Sequence, residues 1–228
     1  MNVKALAIKI KFSEAFFKVH YTKSSRLTYP IPLPTSVAGM FGSMLGLPRK
    51  ACGNLFKDYL FGAGVVSGTQ INIETENCSY RLLAKKERGV ERISILNSPE
   101  YYIVMAGKEA SISNYYNKIT SEIKYLPFGG QNDFFPLDWK IIGITEVARK
   151  KTELSGYVPT NWVSSVYQNT KLEILPVAHR IPDLSNSFTF ILSGVVEIRE
   201  PILCAVVDTV SIPLYYLKQF VLVGEWKS

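Results

Sequence analysis

The chain has 228 residues, 47% of them hydrophobic, and a formal net charge of +7. That is enough apolar material for a sizeable core in one large domain or two small ones, and no run of apolar residues is long enough to suggest a membrane span. The three cysteines, Cys52, Cys78 and Cys204, are too far apart for a metal knuckle or a disulfide framework, so they read as buried thiols of a cytoplasmic protein.

Residues 3–12 alternate, with Leu6, Ile8, Ile10 and Phe12 on one side and Ala5, Ala7, Lys9 and Lys11 on the other. This predicts a half-buried strand and not a leader peptide. A polar, aromatic and basic loop follows from Phe17 to Tyr29. The stretch YPIPLPTSVAGMFGSMLGLP (29–48) then predicts a helix over about 35–45. Thr35-Ser36 reads as its N-cap, Val37, Met40, Phe41, Met44 and Leu45 as its apolar stripe, Gly46 as its left-handed end and Pro48 as its stop. The opposite side is nearly bare, with Ala38, Gly39, Gly42 and Ser43. Each interior glycine costs a helix about 1 kcal/mol relative to alanine. Two of them imply close approach of another backbone, of protein or of nucleic acid.

Residues 50–60 suit a further helical turn or two, and 61–78 are glycine-rich and ambiguous. Glycines 62, 64 and 68 match neither a GxGxxG nor a GxxxxGK[ST] pattern. Residues 79–85 and 100–106 read as strands, with the charged insert KKERGVERISILNS between them long enough for a protruding hairpin. A second helix is predicted over 111–124, capped by Ser111, with Ile112, Tyr115, Tyr116, Ile119 and Ile123 as its stripe. The loop LPFGGQNDFFP follows, then a strand over 140–148. Strand, helix, strand, strand, helix, strand is the βαββαβ ferredoxin-like order, an α+β fold occupying 1–150. The proline-punctuated remainder, 151–228, predicts a small β-rich subdomain.

Charge is distributed unevenly. Residues 1–60 carry nine Lys/Arg against two acids, and residues 61–228 carry 17 of each sign. A polyanion such as nucleic acid is the natural partner of the first segment; a solvated basic surface is the bland alternative. Of the two histidines, His20 lies beside Tyr21 and Lys23, a set compatible with general acid–base cleavage of RNA or with mere RNA contact. His179, in a proline-flanked turn, reads as structural. In the insert, Lys85, Lys86, Arg88 and Arg92 are nearly balanced by Glu87 and Glu91: a solvated hairpin or a phosphate clamp, with Arg88-Gly89 near its tip. Gly129 and Gly130 either seat a phosphate or a base, or form a tight turn on the core. Nothing in the pattern points to a metal or cofactor.

Taken together, YPIPLPTSVAGMFGSMLGL after an N-terminal strand, the FGGQNDFF loop, PTNW (159–162) and ILPVAHRIP (174–182) resemble the CRISPR-associated Cas-five family of the RAMP superfamily. The likeness spans essentially the whole chain and is nearest the archaeal type I-A branch. It implies a subunit of the type I Cascade complex that caps the 5′ handle of the CRISPR RNA and contacts the backbone and large subunits. By matching segments it places handle contacts at Lys23, Arg26, Thr35 and Ser36. The thumb would be the insert at 85–97, with Lys85, Lys86, Arg88 and Arg92, and the glycine-rich loop Gly129, Gly130, Gln131 and Asn132. The type I-C branch is a guide-RNA-processing ribonuclease with a tyrosine, a lysine and an adjacent histidine. Here Lys85-Lys86 is followed by Glu87 and neither histidine follows a lysine, which argues against catalysis. The expectation is a non-catalytic RNA-binding subunit, with a metal-independent endoribonuclease using His20, Tyr21 and Lys23 as the alternative.

Overall fold

The computed structural model describes residues 3–19, 21–22, 26–82, 87–131, 133–182 and 184–220. The first part of the chain runs β1 (Val3–Phe12), β2 (Glu14–Ala15), α1 (Pro34–Met44), α2 (Arg49–Leu55), β3 (Leu60–Val65), β4 (Asn72–Leu82), β5 (Glu87–Asn97), β6 (Glu100–Lys108), α3 (Glu109–Ser121) and β7 (Pro136–Lys150). The last third adds β8 (Gly156–Pro159), β9 (Val163–Val166), β10 (Lys171–Pro176), β11 (Ser187–Ser193), β12 (Val196–Ile198), β13 (Ile202–Val207), β14 (Val210–Pro213) and β15 (Tyr215–Tyr216). Thr160–Trp162 and Leu217–Gln219 form single 3-10 turns. The architecture is mixed α and β, and no helix among the described residues is long and apolar enough to cross a membrane.

The main sheet has seven strands in the order β14-β13-β7-β1-β6-β3-β15, every neighbouring pair antiparallel. Its two outermost strands, β14 and β15, are joined in the chain by Leu214 alone. The sheet therefore curls until its ends meet, and the last third of the chain completes it. This corrects the expectation for β1. Ala5 and Ala7 are as buried as Leu6 and Ile8. One face packs under α1 and α3 with Phe12, Phe41, Phe61 and Ile112, while on the other face Ala5 and Ala7, beside their β6 partners Ala106 and Val104, meet Ala205, Val207 and Ile212 from the strands that curl over it. Small residues at 5 and 7 admit that second layer.

The curl explains the glycines at 62 and 64. A Cβ on Gly62 would stand 2.2 Å from the Pro213 carbonyl oxygen, and one on Gly64 would stand 2.7 Å from that of Ser155. Both glycines let β14 and the approach to β8 cross directly over β3. The first part of the ambiguous segment is thus a fully buried strand, β3, whose glycines at 62 and 64 serve chain crossing; the rest runs out into the exposed β4.

Three smaller sheets complete the fold: β10-β11-β8, β12-β9 and β2-β5-β4. The last contains the protruding hairpin, which is larger than the sequence suggests. It pairs continuously from Asn72 opposite Asn97 to Leu82 opposite Glu87, so it begins at 72 and not near 85. Arg88 and Gly89 lie inside β5 and not at the tip.

Candidate nucleic-acid interface

Strand geometry sorts the hairpin's charges. Directly opposed residues share a face and alternate residues change face. Glu74 opposite Ile95, Glu76 opposite Ile93 and Cys78 opposite Glu91 therefore lie on one side, whereas Thr75 opposite Ser94, Asn77 opposite Arg92, Ser79 opposite Val90 and the Arg88 position lie on the other. What looked like a balanced charge run is a ribbon with an acidic face (Glu74, Glu76, Glu91) and a basic, hydroxyl- and amide-bearing one. Thr75, Asn77, Ser79, Arg88 and Arg92 are all exposed, and Val90 is 70% exposed.

Arg26 sits beside this ribbon but faces its acidic side. Its backbone bridges β5, with its N–H donating to the Arg92 carbonyl at 2.8 Å and its carbonyl accepting from Ser94 at 2.8 Å. Its guanidinium is 2.7 Å from the Glu91 carboxylate. The cation expected at the handle is thus committed to an internal ion pair, and its anchoring of the 17–29 loop to the hairpin is the clearer consequence. Lys4 pairs with Glu146, and Lys9 with Glu100 at 2.9 Å. Arg49, Lys50 and Lys57, by contrast, are exposed on or just after α2.

At α1 the structure shifts the cap. Leu33 is the N-cap, in extended conformation, and Pro34 takes the first helical position, so Thr35 and Ser36 lie inside the first turn with no side-chain cap bond. Proline's fixed φ suits that position and its missing N–H costs nothing there, so it displaces the hydroxyl cap. Likewise α3 is capped at Lys108 and starts at Glu109, two residues before the Ser111 cap expected. The other end of α1 matches the pattern. Gly46 has φ +70°, its N–H donates to Ser43 and that of Leu47 to Gly42, a Schellman closure.

The two glycines of α1 divide. A Cβ on Gly42 would fall 2.3 Å from the Cys52 Sγ of α2, whereas one on Gly39 would meet nothing within 4 Å. Gly42 serves helix packing; Gly39 is exposed and faces open space.

The 128–135 loop packs tightly on its own chain. Gly130 has φ +97°, and a Cβ there would stand 1.9 Å from the Phe16 carbonyl oxygen. Gly129 donates its N–H to Phe134 and accepts from the Phe16 N–H, while Phe128 and Phe135 meet edge to face with centroids 5.2 Å apart. The approaching backbone is thus that of residues 14–17, which β2 pairs in turn to the base of β5. Gly130 is exposed and Gln131 half-buried beside it.

Among the remaining expected residues, His20, Lys23, Lys85, Lys86 and Asn132 lie outside the described residues. Tyr21 is 47% exposed, and burial together with the nearby Glu173 carboxylate pushes its phenol up, the wrong direction for a base. His179 is structural: Nδ1 accepts the Ile181 N–H at 3.1 Å and Nε2 is 3.0 Å from the Ser185 carbonyl, with the ring packed on Phe188 and Phe220. Sequence reading missed Thr75, Asn77 and Ser79 on the basic face. The signal was present as like charges two residues apart, Glu74/Glu76 in one strand, but needed the pairing register to be read.

No protein-family model matches the chain, and no curated protein matches it. Among solved structures it is similar to a chain described as "CRISPR RNA-guided surveillance complex" at 14% identity, covering 92% of this chain and 91% of that one, with a TM-score of 0.47. It is also similar to a Cas protein at 13% identity, covering 85% and 95%, TM-score 0.45. A chain of the type III-B Cmr-beta complex bound to cognate target RNA and AMPPnP matches at 13% identity, covering 85% and 86%, TM-score 0.44.

Proposed function

We propose that this chain is a non-catalytic CRISPR RNA-binding subunit of a type I, I-A-like Cascade complex, gripping the 5′ handle and meeting the backbone and large subunits. Its first 150 residues are read as a ferredoxin-like unit. The strand order β7-β1-β6-β3, with α1 following β1 and α3 following β6, supports that reading. The observation that carries the functional part is the two-faced hairpin. Arg88 and Arg92 stand exposed on one side beside Thr75, Asn77 and Ser79, so cations and neutral hydrogen-bonding groups line a single strip. Such a strip suits the phosphates and 2′-hydroxyls of an extended single strand, while Glu74 and Glu76 turn the opposite face away from it. The excess positive charge of the first 60 residues adds long-range attraction.

A fluorescence-anisotropy titration of handle RNA in rising salt tests the reading. Phosphate-dominated binding to a single strand weakens with salt, with a log–log slope of about −0.7 per phosphate neutralised. Affinity that does not fall with salt contradicts it, as does metal-independent cutting of repeat RNA that is lost in His20→Ala.

A further inference from the structure

β7 carries an unfinished edge. β13 pairs with it only from Val147 to Lys150, so from Pro136 to Glu146 it has a strand neighbour, β1, on one side only among the described residues. Side chains along this open stretch alternate in kind. Trp139 lies opposite Ile10, on the face under the helices, as Pro136 does opposite Phe12, with Leu137 the extra residue of a bulge between them; Asp138 opposite Lys11 and Lys140 opposite Lys9 lie on the other face. Leu137 is 64% exposed and Trp139 38%, and the adjoining Phe135 is 53% exposed. The Trp139 N–H is turned away from β1 and held by its neighbour, the Asp138 carboxylate, at 2.8 Å. An edge donor at the centre of an apolar strip is thus stoppered by a side chain that can swing aside. Open edges of this length are templates for strand addition.

We infer that a second copy of this chain occupies the edge, β7 pairing antiparallel with β7 about a twofold axis through Trp139. Charge selects both partner and register. With Trp139 opposite itself, Asp138 of each copy faces Lys140 of the other, giving two ion pairs by symmetry, and Leu137 faces Ile141. Sliding the register to centre on 138 sets Asp138 against Asp138; centring on 140 sets Lys140 against Lys140. Like charges directly opposed are repulsive. A symmetric pair is self-complementary by construction, whereas a strand from another protein must bring a lysine and an acid at matching positions. The inference goes beyond the RNA-binding reading and does not rest on it.

The test is the mass of the full chain in solution by sedimentation equilibrium, with circular dichroism confirming that each variant folds. Wild type is expected to show a concentration-dependent dimer. Asp138→Lys and Lys140→Asp should each weaken association by about tenfold or more, because both symmetric contacts turn repulsive. Mixing the two variants in equal amounts should restore the dimer, since every contact in the mixed pair is again between opposite charges. A wild type that stays monomeric overturns the proposal, as does a dimer indifferent to either reversal or a mixture that fails to recover. None of these outcomes alters the salt dependence of RNA binding, so the two readings fail separately.

Discussion

The curled seven-stranded sheet and the β4–β5 hairpin are built from the same element and used in opposite ways. In β3 and through the middle of β1 every side chain is buried, on both faces, because the sheet closes through Leu214 and the last third folds over it. In the hairpin, residues 72–77 are exposed on both faces, one acidic and the other basic and rich in hydroxyl and amide groups. Stability therefore belongs to the sheet, and the ribbon is the face we propose for recognition. Substitutions should separate the two.

The largest effect is expected where chains cross. Gly62→Ala sets a methyl carbon 2.2 Å from the Pro213 carbonyl oxygen, and Gly130→Ala sets one 1.9 Å from that of Phe16. In neither case is the obstacle a flexible side chain, so each should cost about 3 kcal/mol or more by denaturant unfolding. Next comes alkaline pH. Burial and the Asp208 carboxylate hold the Tyr102 phenol at about 12, and burial holds the Cys204 thiol at about 12. Both folded values exceed the ordinary 10.0 and 9.0. The unfolded chain thus loses these protons first. Their contribution is intact below pH 9 and is lost as pH rises toward 12. Unfolding midpoints measured across that window should fall; a flat profile contradicts the buried assignment.

The glycines of α1 give a smaller contrast of opposite sign. Gly42→Ala should destabilise by about 1–3 kcal/mol through overpacking on Cys52. Gly39→Ala should stabilise by about 0.5–1 kcal/mol, since its Cβ meets nothing and the helix gains propensity. Thermal melts of the two variants read this directly. Smallest of all on stability is the ribbon: Arg88→Ala and Arg92→Ala should leave the unfolding free energy within about 0.5 kcal/mol.

Elements that bury a stripe were legible from sequence alone. The apolar spacing from Val37 to Met44 and the Gly46 closure locate α1, and Ile112 and Ile119 locate α3, both buried. The start of the hairpin was hidden because Asn72, Glu74 and Glu76 alternate with Ile73, Thr75 and Asn77 and leave both faces wet, so no hydrophobic period exists to read. The reason for Gly62 lies about 150 residues away, in Pro213, and no local pattern carries it. The 128–135 glycines were open to two readings, and Phe16 decides that the crowded side belongs to the protein. Arg26 illustrates the remaining difficulty. Its basic character was plain, but the carboxylate that claims it, Glu91, is reached only through the bridge to β5.

The most direct measurement compares handle-RNA affinity across salt for the wild type, Arg88→Ala/Arg92→Ala and Glu74→Gln/Glu76→Gln. If the basic face is the RNA-contacting one, the arginine variant binds more weakly and its salt slope shrinks by about 0.7 for each phosphate no longer neutralised, while the glutamine variant binds as well as wild type or slightly better. An arginine variant with unchanged affinity and slope would contradict the account.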